Sequence, residues 1–342
     1  MDESSEVTVK QKWSVTGSTL KIVAIVTMLI DHVGAVILER KVAISNVTVS
    51  QDTINTQEVQ LYFVDFILRA IGRIAFPMFI FLLVQGFEHT RSRIKYAARL
   101  FLFALLAEVP FDLAHEGKFL EFTYQNIFFT LFLGFVFMYC ADIIGKFSFD
   151  KKTGIIFEIL VALVGGAYLA KPAMDFIGSF IAGWNGNTSV EESTVFPVLI
   201  CGAVLAIGIF AFWRTYFSKE LTVSEGYVYA VQGLVMFMLA WAARFMNTDY
   251  EGAGVIAIAI AYIFRKNNKN CIMSSVIVLT ITNVMEAVAF LDVLLVERYN
   301  GQRGLKLKYI FYIIYPLHLI IYYFIARKLG IFPGKIGFPG TF

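Results

Sequence analysis

Apolar residues along this chain gather into ten runs separated by short polar breaks. They are Leu20–Leu38, Leu61–Phe87, Tyr96–Leu113, Gln125–Ile144, Gly154–Ala170, Thr194–Trp213, Tyr227–Phe245, Gly252–Phe264, Ile272–Val296 and Lys308–Ala326. A membrane-crossing helix takes about 20 predominantly apolar residues. The pattern therefore predicts an all-α fold, a polytopic membrane helical bundle of about ten transmembrane helices. Gly154–Ala170 and Gly252–Phe264 are short for a full crossing. The apolar stretch Met174–Trp184 either extends the fifth run or lies at the interface.

Composition sharpens this picture. Of 342 residues, 58% are apolar and 16% charged, against about 45–50% and about 25% in soluble domains. That balance excludes a disordered chain, a nucleic-acid-binding domain and an ordinary soluble enzyme, and makes the lipid bilayer the surroundings. The 34 phenylalanines suit lipid-facing surface and intramembrane packing. Cys140, Cys201 and Cys271 are far apart and form no C-x-x-C pair, so no metal or redox motif is expected.

The net charge of +3 implies no acidic partner by itself; the placement of the cations says more. With a cytoplasmic N-terminus and alternating crossings, clusters such as Arg91, Arg93, Lys95 and Arg99 fall inside, and the bias is roughly two-to-one toward the cytoplasm. This predicts an N-in, C-in arrangement. No repeat or Gly/Ser-rich linker divides the chain. Residues 1–19 read as a cytoplasmic polar segment, 20–328 as one transmembrane domain and 329–342 as a cytoplasmic tail. The longest polar loops, Glu39–Gln60 and Asn185–Ser193, fall outside.

Ionisable residues inside hydrocarbon cost about 2.5–3.5 kcal/mol each and mark function by default. The first run carries Lys21, Asp31 and His32, the second Arg69 and Arg73, the third Glu108 and Asp112. The fourth opens on Gln125 and Asn126, the ninth holds Asn283 and Glu286, and the tenth Tyr315 and His318. Lys21 and His32 are about three helical turns apart, on one face and roughly 16 Å apart along the axis. Arg69 and Arg73 share a face at i,i+4. Run directions bring most of these groups to one depth, in the midplane and outer half. Asp31 lies about 100° round the helix from His32, so pairing with an arginine is its expected role. His89 and His115 fall at loop edges, where solvation is expected.

Several motifs carry a resemblance. Leu20-Lys21-Ile-Val-Ala-Ile-Val-Thr-Met28-Leu-Ile-Asp31-His32-Val-Gly34 resembles the opening helix of the TraX family, whose members include the acetylase of conjugative F-pilin. Arg69-Ala-Ile-Gly72-Arg73-Ile-Ala-Phe76-Pro77, Gln85-Gly86-Phe87-x-His89, Glu108-Val-Pro110-Phe111-Asp112, Gln125-Asn126, Asp249-Tyr250-x-Gly252 and Tyr315-Pro316-Leu317-His318 follow in order. The chain departs from the pattern in its long Glu39–Gln60 loop and at Glu251, where a glycine is common. The Lys21-to-His32 spacing also looks like the signature of membrane acyltransferases that acetylate surface glycans.

The resemblance implies an acetyl-CoA-dependent acyltransferase in the cell membrane, bacterial cytoplasmic by expectation. It implies acetyl transfer to a glycan, peptide or pilin-like acceptor. Carried over by position, His32 is the expected catalytic residue, as general base or as a transient acetyl carrier. Asp31, Arg69, Arg73, Asn126 and Glu108 complete the expected catalytic set, with Arg69, Arg73 or Asn126 facing the thioester oxyanion. Lys21, Arg91 and Arg93 would hold the anionic donor, with Tyr315 and His318 beside it. No metal is expected. A competing reading from the same buried groups is a proton-coupled secondary transporter.

Overall fold

The computed structural model describes residues 14–41, 56–184, 195–220, 223–305 and 308–331. Expectations for the first 13 residues, for most of the outer loops and for the tail beyond Ile331 lie outside these. The described residues are helical, with two isolated β-bridges. Among the described residues seven helices are long and apolar enough to cross a membrane, which makes this a multi-pass membrane protein. Of the ten expected crossings, the third falls short of that measure, the eighth is a 13-residue helix, and the ninth is broken. The chain divides into two compact units: Met1–Gly86, Pro110–Phe119 and Ile263–Thr341 form the first, and Phe87–Val109 with Leu120–Tyr262 the second.

The first unit opens with α1 (Gly17–Val33), whose N-cap Thr16 accepts a hydrogen bond from the Thr19 N–H. It runs through a π-helical stretch, Gly34–Leu38, and continues to Lys41. α2 (Thr56–Gly72) and α3 (Ala75–His89) form one membrane-length rod broken at Arg73 and Ile74. Pro77 explains the break: it has no N–H to donate, and its ring collides with the carbonyl four residues earlier, that of Arg73. α2 packs antiparallel against α1 through two glycines. A Cβ on Gly72 would lie 2.1 Å from Asp31 Oδ1, and one on Gly34 would lie 2.7 Å from Asp65 Oδ1. A larger residue at Gly72 would meet Asp31 Cβ as well, at 2.3 Å, and force the helices apart.

The ninth apolar run is not one continuous helix. It forms α10 (Asn268–Thr282), a 3-10 turn (Val284–Phe290) and the short α11 (Leu291–Val296). Asn283 ends α10 and caps the 3-10 turn by accepting from the Met285 N–H at 3.0 Å. Lys269, at the start of α10, lies 2.5 Å from Glu297, just past the end of α11. The segment is therefore a hairpin that leaves from the end it entered. The chain after it joins the start of α1: Val15 N–H donates to Arg298 O, Asn300 N–H to Val15 O, and Leu305 N–H to Ser18 Oγ. α12 (Lys308–Lys328) begins beside the start of α1 and reaches Leu29 through Tyr322. It therefore runs in the same direction as α1. The N-in, C-in expectation is not confirmed: Ser14 and Lys328 lie at opposite ends of the unit. A largely apolar run of 25 residues looks like a crossing, and the polar Asn283 and Glu286 at its middle mark the fold-back.

The second unit holds most of α4 (Arg93–Glu116), then α5 (Ile127–Ile144), α6 (Lys151–Trp184), α7 (Val195–Glu220), α8 (Val223–Phe245) and α9 (Glu251–Ile263). Met174–Trp184 thus extends the fifth run. Asp150, before α6, accepts from the N–H groups of Lys152 and Thr153, and its contact with Thr153 holds its carboxyl below the ordinary value. α6 and α7 approach through small residues, as membrane helices do: a Cβ on Gly166 would lie 2.5 Å from Gly202 O. α9 is apolar and mostly buried, the mark of a central helix. The turn into α9 puts Asn247, Tyr250 and Glu251 at positive φ. A glycine would suit the left-handed position that Glu251 occupies.

Candidate functional site

The first unit gathers three of the chain's four histidines. The His32 ring centroid lies 4.7 Å from that of His318, 6.1 Å from His115 and 6.2 Å from Tyr315. Each imidazole is fixed in the same way, by a contact to the carbonyl four residues earlier. His32 Nδ1 lies 2.8 Å from Met28 O, His318 Nδ1 2.8 Å from Ile314 O, and His115 Nδ1 3.1 Å from Phe111 O. A carbonyl only accepts, so Nδ1 carries the proton in each ring, and in the neutral ring Nε2 is left with its lone pair. His318 Nε2 is buried without a hydrogen-bond partner. His32 remains half-buried, with access to its surroundings. His115 belongs here because α4 continues to Glu116; the sequence reading placed it in solvent at a loop edge.

Beside the histidines lies a charged network. Arg69 Nη1 is 2.6 Å from Asp31 Oδ2, and its Nε is 3.1 Å from Glu39. Arg73 lies 3.5 Å from Asp31 and 3.0 Å from Glu286, which the hairpin tip delivers. Both arginines therefore sit among carboxylates that offset the cost of burying them. The expected Asp31–arginine pairing is present.

The π stretch sets the phase of this end of α1. One α turn of about 3.6 residues and one wider π turn take roughly eight residues together. Asp31 and Glu39 therefore fall on one face and meet the same arginine. His32 and Arg40 fall on the next. Arg40 is 3% exposed and donates to the His115 carbonyl. Sequence reasoning assigned Glu39 and Arg40 to an outer loop, since a straight α-helix would put them out of phase with the site.

The remaining expected residues stand elsewhere. Lys21 lies at the start of α1, within electrostatic reach of Arg303, a residue the sequence did not single out. Asn126 and Glu108 belong to the second unit. Asn126 is fully buried and caps α5 by accepting from the Phe128 N–H; its Nδ2 donates to Ala104 O and Glu108. Arg91 and Arg93 are also in that unit. Arg93 pairs with Asp142 at 2.5 Å and lies over the Phe87 ring, whereas Arg91 is exposed. Among the described residues no cluster of His, Cys, Asp and Glu is arranged to hold a metal ion.

The chain matches the family model described as TraX protein over residues 16–174 and 204–326. It is 24% identical over 264 residues to a probable fimbrial assembly protein FimC, serogroup H1, of Dichelobacter nodosus. That match covers 74% of this chain and 80% of the relative. No solved structure matches it.

Proposed function

The chain belongs to the TraX family, and from that membership we propose that it is an integral-membrane acetyltransferase. It moves an acetyl group from cytoplasmic acetyl-CoA to a hydroxyl or amine acceptor at the membrane or its outer face. The observation that carries this reading is the state of His32. Its Nδ1–H is held by Met28 O, so Nε2 keeps its lone pair on a ring of fixed orientation in a half-buried residue. A base or nucleophile for acyl transfer needs this arrangement.

The surrounding residues take supporting roles. Arg69 and Arg73 supply positive potential near the His32 ring, where a thioester oxyanion would develop. Asp31 and Glu286 position them. Lys21 and Arg303 lie at the start of α1, about three turns from His32, and suit the anionic end of acetyl-CoA. Tyr315 and His318 line the acetyl end. The acceptor is a glycan, a peptide or a pilin-like subunit. The Dichelobacter relative is named as a probable fimbrial assembly protein, which puts fimbrial subunits first among those to test.

The test is release of CoA thiol from acetyl-CoA by the purified full chain. The wild type turns over, and His32→Ala lowers the rate by a factor of about 100 or more. A wild-type chain that releases no thiol overturns the reaction. Undiminished turnover in His32→Ala overturns the role of that residue.

A further inference from the structure

Transfer through a covalent carrier needs two separate groups, a nucleophile and a base. Once acetylated on Nε2, His32 has no lone pair left, because its Nδ1–H remains donated to Met28 O. Asp31 is held in ion pairs with Arg69 and Arg73, at 2.6 and 3.5 Å, which favour its carboxylate as their counter-ion rather than as a proton acceptor. The second base must come from another side chain. His318 meets the requirement: its ring centroid is 4.7 Å from that of His32, nearly perpendicular to it. Its Nδ1 donates to Ile314 O, and its Nε2 is buried without a partner. An unsatisfied buried nitrogen costs stability.

We propose that His32 carries the acetyl group and that His318 is the base that activates the acceptor. The proposal rests on the acetyltransferase reading above. His32 Nε2 attacks the thioester carbonyl carbon; the C–S bond breaks and its electron pair leaves with sulfur as the CoA thiolate. The product is a cationic N-acetylimidazolium. His318 Nε2 then takes the proton of the acceptor hydroxyl or amine while that oxygen or nitrogen bonds to the acetyl carbon. The C–N bond to His32 breaks, returning its electron pair to Nε2. The His318 proton passes to the CoA thiolate, so acetyl-CoA and acceptor become acetylated acceptor and free thiol. His115 lies farther from His32, at 6.1 Å, with its ring against Phe111 at 4.3 Å, and serves as the comparison.

The experiment uses the full chain, radiolabelled acetyl-CoA and water as the acceptor, so no natural acceptor is needed. His318→Gln should release about one thiol per chain in a burst and then stall, with label retained on His32. His115→Gln should not accumulate label on His32, and added imidazole should restart the stalled His318→Gln chain. Wild-type chain quenched within its first turnover should carry acetyl on His32. Absence of that adduct from the wild type overturns the carrier whether or not the variants fold. Label that fails to accumulate in a folded His318→Gln chain, or that accumulates in His115→Gln instead, overturns the base. If the wild type releases no thiol at all, the acetyltransferase reading itself has failed.

Discussion

Replacing Gly72 by alanine tests the close approach on which the site depends. The added Cβ would lie 2.1 Å from Asp31 Oδ1 and 2.3 Å from Asp31 Cβ, where ordinary contact begins at 3.4 Å. Asp31 cannot simply rotate away, because Arg69 holds it at 2.6 Å and Arg73 at 3.5 Å. Relief requires α1 and α2 to part by roughly 1 Å, which carries the Arg69–Asp31 contact past the usual limit of about 3.2 Å. Overpacking alone costs about 1–3 kcal/mol, and loosening a mostly buried ion pair adds to it. The expected loss is about 3 kcal/mol, or a fall in Tm of roughly 4 °C for a chain of 342 residues. Thermal unfolding of the purified chain reads this directly. Gly208→Ala is the control: a Cβ there meets nothing within 4 Å, and alanine improves a helix by up to about 1 kcal/mol. If both variants unfold together, the close approach at Asp31 does not constrain the fold.

Two further outcomes follow from the backbone. With single cysteines placed in turn at Ser14, Asn300 and Gly330, a membrane-impermeant thiol reagent should reach the first two from one face and the third from the other. Labelling of Asn300→Cys from the face opposite Ser14→Cys would restore the ninth run as a crossing. Glu251→Gly should raise stability by about 1 kcal/mol by relieving a left-handed backbone at φ 40°, despite losing the long contact to Arg244 at 3.7 Å. A lower Tm in that variant would show that the Glu251 side chain matters more than its backbone.

Most helices were legible because a helix in lipid must be apolar over its whole length, and such runs stand out from the polar breaks. The Asp31–arginine pairing was legible too, since i,i+4 arginines must share a face and a buried cation needs an anion. Four features were hidden for physical reasons. The π turn changes helical phase without changing residue type, so Glu39 and Arg40 read as loop. The hairpin from Asn268 to Glu297 is as apolar as a crossing. His115 was misplaced because α4 extends past the last strongly apolar residue. The histidine cluster draws on three segments far apart in sequence, and no local spacing could join them.

The central claim, acetyl transfer dependent on His32, is tested most directly by mass spectrometry of cells that carry the wild-type chain, the His32→Ala chain or neither. The account predicts a membrane or surface species heavier by one acetyl group, about 42 dalton for that reaction class, only with the wild type. The same acetylated species at undiminished level with His32→Ala would contradict it.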